Sequence, residues 1–117
     1  MAGGFQSDSK RYGNSKMDIV VTEIERRSRT SVLDIKIKSV GSSVGSSFFI
    51  LCSLRELAKQ RGGFRFIVKL EDKPTYGQML VGFLISDGEH LEKLDTQFAG
   101  ATVIDLEQFA PICDMMK

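Results

Sequence analysis

Residues 31–70 read SVLDIKIKSVGSSVGSSFFILCSLRELAKQRGGFRFIVKL. Two changes of hydrophobic period within this stretch decide the fold. Leu33, Ile35 and Ile37 alternate with Asp34, Lys36 and Lys38. Period two with one polar face predicts a half-buried strand. After the loop Ser39-Val40-Gly41-Ser42-Ser43-Val44-Gly45, the period lengthens. Ser47, Ile50, Leu51, Leu54, Leu57 and Ala58 share one face at helical spacing, which predicts a helix from about Ser46 to Arg61. Gly62-Gly63 ends it, because glycine tolerates the left-handed geometry beyond a helix terminus. Ser53-Leu54-Arg55-Glu56 has capping-box form, so a shorter helix starting at Ser53 is the alternative. Period two then returns, with Phe64, Phe66, Val68 and Leu70 alternating with Arg65, Ile67 and Lys69.

Outward from this unit, the β-branched run Asp18-Ile19-Val20-Val21-Thr22-Glu23-Ile24 predicts a further strand, followed by the polar turn Glu25–Arg29. Glu71–Gly77 contains Pro74 and Gly77 and reads as a turn. Met79–Ile85 lacks a polar side chain and reads as a central strand. Residues 90–98 fit either a loop or a short helix. Ala101–Ile104 is a short strand, and Asp105 is placed to cap a last helical segment through Leu106, Phe109, Ile112 and Cys113. Residues 1–16 are rich in Gly, Ser and Lys without periodicity and read as a flexible N-terminal arm before one domain at 17–117.

The order β-β-α-β-β-(α)-β-α predicts the α+β class. The expected sheet is single, mixed and mainly antiparallel. One long helix and a short C-terminal helix cover one face. The strand–helix–strand unit makes a right-handed crossover if its strands are parallel. Asp34, Lys36, Lys38, Arg65 and Lys69 are expected on the bare face.

The bulk numbers agree with a globular domain. The chain has 117 residues, of which 42% are hydrophobic and 26% charged. The formal net charge of +1 gives no strongly basic balance, so no nucleic-acid partner is expected. Charge is uneven along the chain: residues 10–38 hold eight basic side chains against four acids, while residues 86–117 hold seven acids against Lys93 and Lys117. No window approaches the roughly 18 apolar residues of a membrane span, and the start has no export-signal pattern. No transmembrane segment is expected, and the chain reads as soluble.

Reaction chemistry is sparsely represented. His90 is the only histidine. Asp87, Glu89, His90, Glu92 and Asp95 are candidate cation ligands, but their spacing matches no calcium loop. Serines are many, yet none lies in a Gly-x-Ser-x-Gly elbow. The Gly/Ser loop at 41–47, with Gly41, Gly45 and Ser46, lies between a strand and a helix, where backbone amides bind anions. It lacks the lysine of a phosphate-binding loop. Cys52 and Cys113 are the only cysteines. They can pair in an oxidising compartment and are buried thiols otherwise.

Leu51-Cys52-Ser53-Leu54-Arg55-Glu56-Leu57-Ala58, then Gly62-Gly63-Phe64-Arg65-Phe66-Ile67-Val68, resembles the core of small bacterial envelope lipoproteins of unknown function. Those carry a Leu-x-Arg-Ala-Ala-Glu-like helix and a Gly-aromatic-x-aromatic-aromatic strand. Val103-Ile104-Asp105-Leu106 echoes their Asp-Ala-x-x-Val-like end. The likeness spans roughly residues 31–106. The Ala-Ala-Glu is missing, and no lipid-attachment cysteine stands near residue 1. The resemblance implies a processed N-terminus in place of Met1, a tether over residues 2–16 and no catalytic residue.

The leading expectation is therefore a non-catalytic protein-interaction module tethered in the bacterial cell envelope, without a cofactor. Lys36, Lys38, Arg65 and Lys69 are the candidate interaction surface for an unknown protein partner. The alternatives are a small-ligand or anion-binding domain using the 41–47 loop, and a small enzyme of unknown reaction at Asp87, Glu89 and His90. The compartment is the periplasmic side of the envelope if an upstream signal has been removed, and the cytoplasm otherwise.

Overall fold

A computed structural model of the chain describes residues 5–12 and 16–116. The strands are β1 (Gln6–Asp8), β2 (Asp18–Arg26), β3 (Thr30–Ser39), β4 (Phe66–Glu71), β5 (Gln78–Leu84) and β6 (Ile104–Asp105). The helices are α1 (Ser43–Gln60) and α2 (Ala110–Met116). The strands form one sheet in the order β1-β2-β3-β5-β4-β6, and every pairing is antiparallel.

The α+β class stands. The parallel component of the expected mixed sheet is altered. β3 and β4 run parallel, joined by α1, but β5 lies between them and pairs antiparallel with both. The crossover is thus split by the strand that returns from β4. A hairpin supplies that strand at little loop-closure cost, and no parallel ladder forms.

The long version of α1 is the one that forms. Ser42 caps it, its Oγ accepting the Gly45 N–H at 3.0 Å. Without a capping acceptor, that first-turn amide would have no intrahelical partner. The inner face of α1 buries Phe49, Leu54, Leu57 and Ala58 against Ile19, Val21, Leu33, Ile67, Val81 and Phe83 of the sheet. Burying each large side chain of this kind stabilises the fold by roughly 1.5–3 kcal/mol.

The other face of the sheet is not bare. Phe66, Val68 and Leu70 point away from α1 and join Val32, Leu80 and Leu84 in a second apolar layer. Residues 91–103, which contain two 3-10 turns, cover this layer with Leu91, Leu94, Phe98 and Val103. Gly82 of β5 provides the seat. A Cβ there would lie 2.8 Å from the Phe98 ring. The side chains alternating with the Phe66 series therefore face α1, which places Ile67 in the main core and Lys69 on the helix side. The expectation of a charged bare face is corrected accordingly. From Phe66 to Leu70, β4 is apolar on both sides apart from Lys69, and the longer alternation hid that.

The N-terminal segment is also more ordered than expected. Residues 5–12 are built into the fold, whereas residues 1–4 and 13–15 lie outside the described residues. Phe5 is buried, and the Glu23 N–H donates to its carbonyl at 2.8 Å. Ser7 and Ser9 point inward. Ser7 Oγ accepts from Ser53 Oγ of α1 at 2.8 Å, and Ser9 Oγ accepts the Ile19 N–H at 2.9 Å. A serine-rich stretch reads as a linker because its composition is polar, yet here the hydroxyls are bonded inside the protein.

Two ties hold α1 in place. Arg61, which closes the helix, donates to the Thr30 carbonyl at 2.8 Å, Ser31 Oγ at 2.6 Å and the carbonyls of Arg27 and Ser28. Its guanidinium stacks on Phe83 at 4.7 Å and lies 3.8 Å from the Glu23 carboxylate. Burial opposes ionisation of Glu23, but hydrogen bonds from Arg26 and Ser31 and the charges of Arg26 and Arg61 outweigh it. Its carboxyl is held below the usual range. At the other end, Cys52 of α1 and Cys113 of α2 form a disulfide with a Cα separation of 5.4 Å, within the normal span for such a bond. Both cysteines are buried. Phe48 meets Phe109 beside this bridge, with ring centroids 6.4 Å apart, while Phe49 lies in the main core.

Candidate functional site

The residues expected to form one basic surface are divided. Lys36 lies opposite Val20 in the β2–β3 register, on the sheet side facing away from α1, and Lys38 shares that parity. Lys69 lies opposite Val81, which packs under α1, and its ammonium pairs with Glu71 at 3.6 Å. Arg65 makes a two-pronged bond to Asp105, both contacts 2.9 Å, and stacks on Phe66 at 5.2 Å. Those bonds from Arg65 hold the Asp105 carboxyl below its usual range. Only Lys36 and Lys38 remain together as exposed cations.

The Gly/Ser loop does not present free amides at two of its three expected positions. The Gly45 N–H is bonded to Ser42 Oγ, and the Ser46 N–H donates to the Ser42 carbonyl at 3.0 Å. Gly41 has φ +73, and a Cβ there would lie 3.3 Å from the Lys16 carbonyl, so a turn and close packing both favour glycine. The stretch turns the chain and starts α1.

The acidic stretch is likewise engaged. Glu89 accepts from the Arg29 guanidinium at 2.7 Å and from the Ile85 N–H at 2.8 Å. The Arg29 bond leads in keeping its carboxyl below the usual range. Asp95 caps the Gln97 N–H. His90 is exposed, 3.4 Å from Glu92. Among the described residues no grouping of His, Cys, Asp or Glu is arranged to hold a metal.

A different surface emerges from the register of β3. Ten residues long, β3 pairs with β5 only over Thr30–Asp34. One more rung follows, with the Ile35 N–H donating to the Gly77 carbonyl at 2.9 Å. The β4–β5 turn stops the ladder there. Asp72 has φ +58 and its Oδ1 accepts the Gly77 N–H at 3.0 Å, so that amide is turned away from β3. Backbone groups alternate sides along an antiparallel strand. Odd-numbered residues from Ser31 to Ile37 turn their backbone groups to the β5 side, as the bond from Phe83 N–H to the Arg29 carbonyl confirms at the near end; a register shift beyond Ile37 then pairs Ser39 with Asp18 of β2. Ile37 therefore directs its N–H and C=O outward, past the end of β5.

Beside this edge, on the α1 side, lies a groove of about 420 Å³. Ile35, Ile37, Ile50, Tyr76, Gln78 and Met79 supply most of its wall. Ile37 is 52% exposed and Tyr76 92%, large values for apolar and aromatic side chains. The acidic rim residues are partly engaged, Glu71 by Lys69 and Asp72 by Gly77. A second cleft of about 260 Å³ lies among Glu25, Arg27, Ser31, Asp95 and Gln97. Its polar groups bond one another or nearby residues: Arg27 pairs with Glu25 at 3.0 Å, and Ser31 donates to Glu23 at 2.5 Å.

Ile35 and Ile37 were legible as apolar strand positions, but their partial exposure depends on where β5 begins. Tyr76, an aromatic inside a Pro/Gly turn, was the available sequence signal.

Comparison with protein-family models, with curated proteins and with solved structures finds no match. Among the described residues no helix is long and apolar enough to cross a membrane.

Proposed function

We propose that the chain is a non-catalytic protein-interaction module that docks its partner at the Ile37–Tyr76 groove. The observation that carries this reading is the juxtaposition of an unpaired strand edge with an apolar groove. Exposed apolar surface next to unpaired backbone is costly to leave in water and gains on association. The polar clusters elsewhere are bonded among themselves, which favours binding over reaction as the role. The buried Cys52–Cys113 bridge supports an oxidising compartment. That setting agrees with the envelope location implied by the lipoprotein resemblance.

A photo-crosslinking residue tests the docking site. Placed at Tyr76, it is expected to capture a defined protein from the source cell's envelope fraction. The same group at exposed Gln108 is expected not to do so, and Ile37→Asp is expected to abolish capture from position 76. Equal capture at both positions, or capture indifferent to Ile37→Asp, refutes the assignment.

A further inference from the structure

We infer that the free edge of β3 takes up an extended peptide strand, and that the strand it accepts alternates apolar with acidic residues. This inference rests on the interaction-module reading and names the class of partner.

Strand addition needs backbone groups that point outward and side-chain pockets at every second position. β3 has both. Ile37 directs its N–H and C=O past the end of β5, and the Ile35 carbonyl receives no bond from the Gly77 amide, which Asp72 holds. A strand laid along this edge puts alternate side chains on opposite faces. On the α1 side they meet the groove walled by Ile37, Ile50, Tyr76 and Met79. On the other side they meet exposed Lys36 and Lys38. Asp34, the acid of that face, is opposite Gln78 and already within the β5 ladder.

The same lysines argue against a second copy as the occupant. Two β3 edges can pair antiparallel only with odd residues facing odd residues. The two registers that use the free Ile37 edge set a lysine opposite a lysine: Ile37 against Ile37 puts Lys36 against Lys38, and Ile37 against Ile35 puts Lys36 against Lys36. Like charges directly opposite destabilise a sheet, and lysine on an edge strand is a common guard against self-pairing. Carboxylates at those positions convert the repulsion into cross-strand attraction. Charge complementarity therefore selects a foreign acidic strand over self-association.

The test uses the oxidised full chain and two synthetic peptides of equal length. One alternates glutamate with valine, and the other alternates lysine with valine. The glutamate peptide is expected to shift the backbone amide of Ile37 and to slow its hydrogen exchange. It should bind about tenfold more tightly than the lysine peptide, the factor expected from two cross-strand charge pairs. The double variant Lys36→Glu/Lys38→Glu, altered only at exposed positions, should reverse that preference. Equal binding of both peptides at Ile37 overturns the acidic selectivity. Absence of any Ile37 response to either peptide, or binding elsewhere, overturns strand addition. In that case crosslinking from Tyr76 still reports separately on whether the groove docks a protein by another mode.

Discussion

Reduction of the Cys52–Cys113 bridge cuts a covalent tie between α1 and α2. The bridge closes a loop with a sequence separation of 61. In the chain-entropy description, losing a closure of that length destabilises the fold by about 4 kcal/mol at 25 °C. Unfolding entropy of about 2.1 cal/mol/K per residue converts this into a fall in Tm of roughly 15 °C for a chain this size. The decisive assay is urea unfolding of the same protein with and without dithiothreitol, followed by far-UV circular dichroism. Dithiothreitol is oxidised as the bridge becomes two thiols, so side-chain volume is nearly unchanged and packing loss is small. Cys52→Ala/Cys113→Ala adds two small cavities and should be less stable than the reduced wild type. Alkylation before unfolding supplies a control, because both cysteines are buried and bonded. The oxidised protein should remain unlabelled. A reduced protein within about 1 kcal/mol of the oxidised form would refute the reasoning, as would rapid labelling of the untreated protein.

Glu23→Gln should destabilise the protein by about 3 kcal/mol at pH 7, since it removes one partner of a buried charged network. Wild-type Glu23 is held ionised below its ordinary value of 4.5, so the folded state binds its proton less readily than the unfolded state. That contribution is complete above about pH 5 and is lost as pH falls through the lowered folded value. The gap between wild type and variant should narrow from pH 5 towards pH 3, and a constant gap would show that the ionised form is not what matters. Gly82→Ala should destabilise by about 1–2 kcal/mol. The strand preference for alanine is worth up to about 1 kcal/mol, but its Cβ would lie 2.8 Å from the Phe98 ring and 3.1 Å from Leu94 and Val68, an overpacking that costs about 1–3 kcal/mol. A thermal melt at or above the wild-type Tm would contradict this.

Local periodicity carried the strand and helix assignments well. Asp105 caps the Glu107 N–H at 3.1 Å, as its place before an apolar segment implied. Ser42 of the Gly/Ser loop caps α1, and Gly62 and Gly63 at its end adopt φ +124 and +89. Such effects act over a few residues, so they are written into local sequence. β4 was harder to read. Phe66, Val68 and Leu70 identified an oily face correctly, but nothing local says which of two faces meets the helix. Ile67 is a lone apolar residue between Arg65 and Lys69 in the alternation, yet it is fully buried under α1.

The sequence by itself determined the α+β class, the positions of most elements and the scarcity of reactive side chains. Each follows from composition or from a period of a few residues. Only the tertiary structure decided that β5 lies between β3 and β4, that residues 91–103 cover the second face, and that Cys52 meets Cys113. It also decided that the candidate cations are split between faces and that β3 outruns β5 at Ile37. These outcomes depend on register and on long-range packing between segments far apart in the chain. A shift of one residue in pairing reverses which side chains are buried, and no local period records that choice.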